Sequence, residues 1–342
     1  MPCRFLPCVP GRARTSVHAT LRPRALPVLL LSLPTLAGCL AGPATALGGG
    51  PIGRAPDLRE TALLPEPDST RGVGFILRGN RRDLVDQVRI DLNAAARAFE
   101  RLVGERPREG EVELVADDRE VRVRIRLPGA IIAPFTVPLQ RDERGRPRVP
   151  EALRVAQAVD LAMARGWITS LSRTLAPAVS LDAGWMAQRQ VPAWLRVGLL
   201  QAVGGHRFHD LWLAQLARQR DSLPPLASVL APEGCDERCL APWVRDGDEP
   251  AGDASPPPPV APRRGRLPSL DGGMRFAAMS FSVVQFMARR EGPDFMRALM
   301  ASALTTGDAR DVLDGARSFT ADPTDIERQW RPWLAPFAEP FR

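Results

Sequence analysis

The feature that most constrains the fold is a helical stretch with almost no polar face. From Leu153 to Ala164 most positions are apolar, and only Arg154, Gln157 and Asp160 form a narrow polar edge. A helix needs polar side chains only where it meets water. The pattern therefore predicts a helix that is buried over most of its circumference.

A second, mostly apolar helix is predicted shortly after the first. We expect it to begin near Pro192, because proline is favoured in the first turn of a helix. Gly204 and Gly205 mark its end, because glycine is favoured where helices stop. Residues 149–204 are therefore expected to form a helical pair at the centre of the core.

The residues before this pair predict a small sheet accompanied by a helix. Asp83 is expected to cap a helix whose apolar residues recur three and four positions apart. From Glu120 to Leu127, arginine alternates with valine, isoleucine and leucine, which is typical of a half-buried strand with one basic face. That row of arginines either binds an acidic ligand or is solvated. Further strands are predicted at 72–77, 111–115 and 131–139, the last in a hairpin with 120–127.

Two segments of the helical pair resemble a known zinc site. Residues 194–199, Trp-Leu-Arg-Val-Gly-Leu, are similar to the W-L-x-E-G-L-A segment of the gluzincin metallopeptidases, specifically of their peptidase MA-like domains. The glutamate of that segment is the third zinc ligand of the family, and Val197 takes its position here. The first helix contains Ala-Val-Asp-Leu-Ala-Met-Ala, which lies over the family's A-H-E-L-x-H-A. Val159 and Met163 replace the two histidine ligands, and Asp160 replaces the glutamate that activates water.

The resemblance thus implies a zinc site without its ligands. Catalytic zinc takes three protein donors from nitrogen, oxygen or sulfur, whereas valine has no donor and a methionine thioether is a poor one. We therefore expect no metal, no cofactor and no catalytic residue at these positions. An ordinary core helix with no zinc ancestry is the alternative interpretation of the same pattern.

Similarity to the family extends toward the C-terminus. Residues 276–287 resemble its A-Y-A-x-S-x-x-F-V-x-Y-L helix, and residues 325–334 resemble its terminal E-x-x-W-x-x-W/Y-L helix. The resemblance implies an α+β, zincin-like fold. Its small N-terminal mixed sheet with helices would occupy 72–148, and a mostly helical peptidase MA-like subdomain would occupy 149–334.

The first residues of the chain have the features of a bacterial export signal. Five arginines and no acid precede an apolar run at 25–37, which is too short for a permanent membrane span. Leu36-Ala37-Gly38-Cys39 closely resembles the bacterial lipobox, which implies cleavage after residues 1–38 and lipid attachment to the Cys39 thiol. A plain secretory signal cut after residues 44–46 is the alternative.

A lipid anchor would place the protein in the bacterial cell envelope. Residues 39–71 are rich in proline and glycine without periodicity, so we expect a lipidated cysteine followed by a flexible tether. By resemblance to Gram-negative lipoproteins, Leu40 in place of aspartate favours the outer membrane. The membrane is thus a predicted partner, reached through the anchor.

The net charge of +7 gives no support to nucleic-acid binding. The 46 basic residues less the five arginines of the signal leave 41, against 39 acidic ones, so the mature chain is near +2. Nucleic-acid binding proteins usually concentrate positive charge on one surface. We therefore expect no nucleic-acid partner.

Residues 232–270 interrupt the family pattern with a proline-rich insert. Cys235 and Cys239 lie inside it, and outside the cytoplasm a local disulfide between them is favoured over a zinc site. His206, His209 and Asp210 form a further candidate set, which either binds a metal at the surface or decorates the start of a helix.

The sequence supports a catalytically inactive, lipid-anchored peptidase MA-like protein that acts as a binding or structural module. By analogy with the family, its ligand would be a peptide or an envelope protein. An active zinc metallopeptidase with ligands elsewhere is the alternative, although the mature chain has only two histidines and no tyrosine. The GxSxG and P-loop motifs of other hydrolases do not occur in the sequence.

Overall fold

The computed structural model describes residues 68–139, 151–231 and 272–341. It has an α+β architecture, in which a five-stranded mixed sheet is followed by a mostly helical region. The expected fold class is therefore confirmed at this level. The strands are β1 Asp68–Gly72, β2 Phe75–Gly79, β3 Gly110–Ala116, β4 Glu120–Arg126 and β5 Phe135–Pro138.

The sheet has the strand order β1-β2-β3-β4-β5, and every neighbouring pair is antiparallel except β2 and β3. The parallel pair is connected by helix α1, Arg82–Val103, because parallel strands require a crossover. Residues 72–77 do not form the single strand that was expected. Gly72 ends β1 and Gly74 makes the turn with a φ of 76°, a conformation that favours glycine, so the chain reverses before Phe75. The first strand also begins at Asp68, within the stretch predicted as tether.

The alternating strand 120–127 is confirmed as β4. Val121, Val123 and Ile125 are buried, while the arginines between them are exposed. Those arginines lie near acids: Arg122 at 3.6 Å from Asp117, Arg124 at 3.5 Å from Glu113 and Arg126 at 3.4 Å from Glu111. The basic face of β4 is therefore balanced by carboxylates of the protein itself.

Helix α1 packs its apolar stripe into the core, with Leu84, Val88 and Leu92 nearly inaccessible. Asp83 does not cap this helix, contrary to expectation. The cap position is held by Arg81, for which the described structure shows no capping side-chain bond, and Asp83 lies in the first turn at 2.6 Å from the Arg81 guanidinium. A carboxylate there still favours the helix, because the N-terminal end of a helix carries partial positive charge.

Apart from α1, the helices of the described residues follow the sheet in the chain. They are α2 Glu151–Leu175, α3 Ala193–Gly204, α4 His206–Arg218, α5 Leu226–Leu230, α6 Gly272–Glu291, α7 Pro293–Thr306, α8 Arg310–Asp314 and α9 Pro323–Leu334. All twelve residues of α3 are buried, and its neighbours include α2 and α6. Close approach is possible because α3 carries glycine at the crossings. A Cβ on Gly198 would lie 2.6 Å from the Ser280 carbonyl oxygen of α6, and one on Gly204 would lie 2.9 Å from the Ala164 Cβ of α2.

The two predicted core helices are therefore present and packed together. Short 3-10 turns lie between the helices at Trp185–Ala187 and Arg220–Ser222, and a longer one follows α9 at Ala335–Phe341. Across residues 68–139, 151–231 and 272–341, no helix has the length and apolar character needed to cross a membrane.

Candidate functional site

The three positions that resemble zinc-ligand positions lie in the core. Val159 and Met163 on α2 and Val197 on α3 are each 0 % exposed. The end of the Met163 side chain lies 3.5 Å from where a Cβ on Gly110 of β3 would stand, so it packs against the sheet. Because these side chains offer at most one weak sulfur donor, they do not fit a catalytic zinc ion.

Asp160 has a different position from the one that the sequence predicts. It was expected on the polar edge of α2, but it is only 2 % exposed, and one of its carboxylate oxygens lies 2.9 Å from Nδ1 of His206. The reason is the tight connection between α3 and α4. Helix α4 begins two residues after Gly204, whose backbone approaches the Asp160 carbonyl, so His206 lies against α2.

His206 is part of a buried charged cluster that three helices build. We call Asp91 of α1, Asp160 of α2 and His206 and Arg207 of α4 the acid–histidine cluster. Nε2 of His206 lies 3.6 Å from Asp91, opposite to the Asp160 contact. Arg207 donates two hydrogen bonds to Asp91, of 2.6 Å from Nε and 2.5 Å from Nη2, and Gln87 donates a third of 3.2 Å. Asp91 is only 1 % exposed, and each of its two carboxylate oxygens accepts a hydrogen bond.

The cluster changes the pKa values of its members. Burial would raise the pKa of Asp91, but hydrogen bonds from His206 and Arg207 hold it below the ordinary value. Burial raises the pKa of Asp160 to about 7, against the opposing effect of its bond with His206. For His206, burial is outweighed by the two aspartates, and the pKa rises to about 9. At neutral pH the imidazole is therefore protonated between two carboxyl groups, which is the arrangement of a buried ion pair.

Asp160 is the least satisfied member of the cluster. Its second carboxylate oxygen, Oδ1, is buried and has no hydrogen-bond partner within the described ranges. A charged carboxylate with one oxygen unpaired is costly in the interior, which explains why burial dominates its pKa. The Asp160 carboxyl group of the cluster therefore takes up a proton near neutral pH.

His209 does not join His206 in a metal site. Its Nε2 lies 2.7 Å from the Gln201 carbonyl oxygen, and its ring stacks on Phe281 with centroids 4.2 Å apart. Burial lowers its pKa to about 4, so the ring is neutral and donates to that carbonyl. Of the two interpretations of His206, His209 and Asp210, the geometry favours residues at the start of a helix over a metal site, because the two histidines contact different neighbours.

No set of three or more histidine, cysteine, aspartate or glutamate side chains in residues 68–139, 151–231 and 272–341 is arranged to hold a metal ion. In the acid–histidine cluster the two aspartates lie on opposite nitrogens of one ring. The three groups therefore form a row of contacts and do not converge on one point.

Sequence reasoning missed this cluster, although two signals for it exist. Asp91 falls between Val88 and Leu92, inside the apolar stripe of α1, where an acid requires a buried partner. His206 and Arg207 follow directly on the paired glycines that end α3. Neither signal shows which residue is the partner, because Arg207 and Asp91 are 116 positions apart in the sequence.

Several predicted sites lie outside the described residues. These are the lipidation site Cys39, the disulfide candidates Cys235 and Cys239, and the proline-rich insert 232–270.

Comparison with known proteins does not supply a family. Neither protein-family models nor curated proteins nor solved structures give a significant match to this chain.

Proposed function

We propose that this chain is a lipid-anchored protein of the bacterial cell envelope that has a peptidase MA-like fold without peptidase activity. In this proposal it acts as a binding or structural module, whose ligand is a peptide or an envelope protein. The observation that carries the proposal is the apolar, inaccessible environment of Val159, Met163 and Val197.

The environment of Asp160 supports the same function. A general base for hydrolysis must reach a water molecule beside the scissile bond. Asp160 is 2 % exposed, and its accepting oxygen Oδ2 is engaged by His206. We infer that this carboxylate serves the packing of α4 on α2 and takes no part in catalysis.

The order of the elements also agrees with the proposal. A mixed sheet precedes α2, and α3 packs on α2, as the resemblance to peptidase MA-like domains implies for the two helices that carry the zinc ligands. The proposed envelope location depends on the lipobox-like segment at 36–39 and on the arginine-rich run before it.

The direct test is the metal content and activity of the purified chain. We expect no stoichiometric zinc by elemental analysis after dialysis against zinc-containing buffer, and no cleavage of a mixed peptide library. One zinc ion per chain, or metal-dependent cleavage that a chelator abolishes, would refute the proposal.

The relation to the zinc site can be tested by restoring its ligands. The triple variant Val159→His, Met163→His and Val197→Glu leaves Asp160 and its bond to His206 in place. If the three positions converge, zinc should bind and should restore stability that polar groups in the core have removed. A matched control shifts the histidines by one turn, with Val155→His, Val159→His and Val197→Glu, and Val155 is equally buried.

We expect a zinc-dependent rise in melting temperature for the first triple variant and none for the shifted control. A first triple variant that folds without affinity for zinc would show that the three positions do not form a dismantled gluzincin centre.

A further inference from the structure

Arg196, in the first turn of α3, is a buried cation that has no acidic partner among the described residues. The residue is only 7 % exposed. In the described part of the chain, its guanidinium makes one hydrogen bond, from Nη1 to the Met186 carbonyl oxygen at 2.6 Å. Its Nε is buried without a hydrogen-bond partner among those residues, and no carboxylate there lies within ion-pair distance. Burying an unpaired charge is one of the costliest arrangements in a protein interior.

The unused side of this guanidinium has a defined chemistry. Nε–H and Nη2–H point in parallel, and this fork matches the two oxygens of a carboxylate. Arg207 and Arg71 use the same two groups in this protein: Arg207 binds Asp91 at 2.6 and 2.5 Å, and Arg71 binds Glu109 at 2.9 and 2.7 Å. Arg196 has the same fork, but no carboxylate of residues 68–139, 151–231 or 272–341 binds it.

Arg196 is held against the 3-10 turn at 185–187 through its backbone and through the side of the guanidinium opposite the fork. The indole Nε1 of Trp185 donates to the Arg196 carbonyl oxygen at 3.3 Å, and Arg196 donates to Met186 of the same 3-10 turn. The first bond holds the Arg196 backbone and the second holds its guanidinium against residues 185–187. The fork is therefore preorganised, which lowers the entropic cost of binding a ligand.

The surroundings of Arg196 favour a negative charge. Burial lowers the pKa of the Arg196 guanidinium, and the positive charge of Arg189 lowers it further. The amino-terminal end of α3 adds partial positive charge at Arg196, and among the described side chains none caps that end. All three influences oppose the guanidinium charge, and an anion would relieve all of them.

We propose that the Nε–Nη2 fork of Arg196 is a binding site for the carboxylate of a ligand. A carboxylate there would receive two charge-assisted hydrogen bonds and would neutralise the buried charge. This inference does not depend on the proposed function, because it uses neither the zinc-like positions nor the lipid anchor. The carboxylate could come from the C-terminus of a peptide or from a small organic acid, and the experiment separates these sources.

The test is calorimetric titration of the full chain in detergent with three probes: acetyl-trialanine with a free carboxylate, the same peptide as its C-terminal amide, and propionate. We expect the free peptide acid to bind and the amide not to bind. Binding of the peptide acid alone assigns the site to peptide C-termini, and binding of propionate as well assigns it to small acids.

The variants Arg196→Met and Arg196→Lys identify the group responsible. Both should weaken binding of the acid probe at least ~10-fold, because neither has the fork and a bidentate charge-assisted bond is worth that factor or more. The control is Arg71→Met, whose arginine is exposed and already paired with Glu109, and it should bind as the wild type does.

Without any probe, Arg196→Met should melt at or above the wild-type temperature, since an unpaired buried charge is replaced by an apolar chain of similar length. Acid binding that is undetectable in the wild type would overturn the proposal. So would unchanged affinity in Arg196→Met or Arg196→Lys, or a melting temperature of unliganded Arg196→Met far below that of the wild type.

Discussion

Asp91 is the residue on which the acid–histidine cluster depends. It is nearly inaccessible, and it accepts hydrogen bonds from Arg207 and Gln87 while facing His206. A carboxylate in such a place stays ionised only because positive groups surround it. When this carboxylate is removed, Arg207 loses its counter-charge and His206 keeps only Asp160.

The first prediction concerns Asp91→Asn. We expect this nearly isosteric change to lower the free energy of unfolding by about 3 kcal/mol, because it leaves the charge of Arg207 without a carboxylate and leaves His206 with Asp160 alone. Urea denaturation at pH 7 measures the effect. Glu109→Gln is the control, since it breaks the solvent-exposed pair with Arg71, and it should change stability by less than about 1 kcal/mol. Equal effects of the two variants would contradict this role of Asp91.

The second prediction concerns the acid range. The folded pKa of His209 is about 4, below its ordinary value of 6.5, so the unfolded chain binds a proton first. The stability from keeping this ring neutral is present above pH 6.5 and is lost as pH falls through 4, up to about 3 kcal/mol. His209→Gln keeps a donor for the Gln201 carbonyl but does not titrate. Between pH 7 and 4 it should therefore lose less stability than the wild type, as measured by denaturant titration; an identical loss would count against this assignment.

The third prediction concerns the alkaline range. The folded pKa of His206 is about 9 and that of Asp160 about 7, both above the ordinary values, so the folded state holds more protons than the unfolded one. The stability due to His206 is complete below pH 6.5 and is lost as pH rises through 9, and that due to Asp160 is lost as pH rises through 7. Stability should therefore fall from pH 6 to 10.

The composition of the chain simplifies the interpretation of its stability at alkaline pH. The chain has no tyrosine and its basic residues are all arginine, so neither tyrosine nor lysine adds to the slope. His206→Gln should flatten the dependence of the unfolding free energy on pH between 7 and 10. A slope as steep as that of the wild type would show that other groups cause it.

At the scale of elements, α3 is held between α2 and α6 by contacts that only glycine permits. A Cβ on Gly204 would lie 2.9 Å from the Ala164 Cβ and 3.1 Å from the Leu161 Cα, and both neighbours are parts of a packed helix. The same crossing brings α4 to Asp160. The distance between α2 and α3 at Gly204 therefore affects the contact between Asp160 and His206.

The fourth prediction is that Gly204→Ala destabilises the protein by about 1–3 kcal/mol, although alanine is the better helix former. Thermal unfolding measures the change, and His206 should also titrate differently by NMR because α2 and α4 separate. Gly315→Ala is the matched control: its Cβ would meet nothing closer than 3.5 Å and its φ of −83° suits alanine, so stability should stay the same or rise slightly. An equally stable Gly204→Ala protein would show that the helices can move apart without cost.

At the scale of the whole molecule, the fifth prediction concerns the proposed anchor. Several acyl chains on one cysteine hold a protein in a bilayer far more firmly than a single chain does. We expect the wild-type chain in the membrane fraction of a Gram-negative host and the Cys39→Ser chain in the soluble fraction. Cys235→Ser is the control, because it removes another cysteine and should leave fractionation unchanged. A Cys39→Ser chain that stays with the membranes would refute lipidation at this residue.

The architecture was largely predictable from the sequence, because it depends on local periodicity. Alternation from Glu120 to Leu127 produced β4, and spacings of three and four produced α1. The strand that was predicted wrongly also failed for a local reason. The turn at Gly74 divided one expected strand, because a short glycine-rich run is compatible with either an extended strand or a reversal.

An apolar helical pair at the centre of the core, with no zinc donor at Val159 and Val197, follows from the amino-acid sequence alone, because these properties belong to each residue's own chemistry. Which buried polar groups contact one another depends on the packing of the helices and could not be predicted from the sequence. Periodicity placed Asp160 on the narrow polar edge of α2, and its partner proves to be His206, 46 positions away in the sequence. Arg196 has no acid within ion-pair distance in the part of the chain that the structure describes, although Arg189 of the preceding loop and the helix end both add positive charge there. Such pairings depend on how helices cross, and a helical repeat of 3.6 residues describes the faces of one helix but not which helix will cover them.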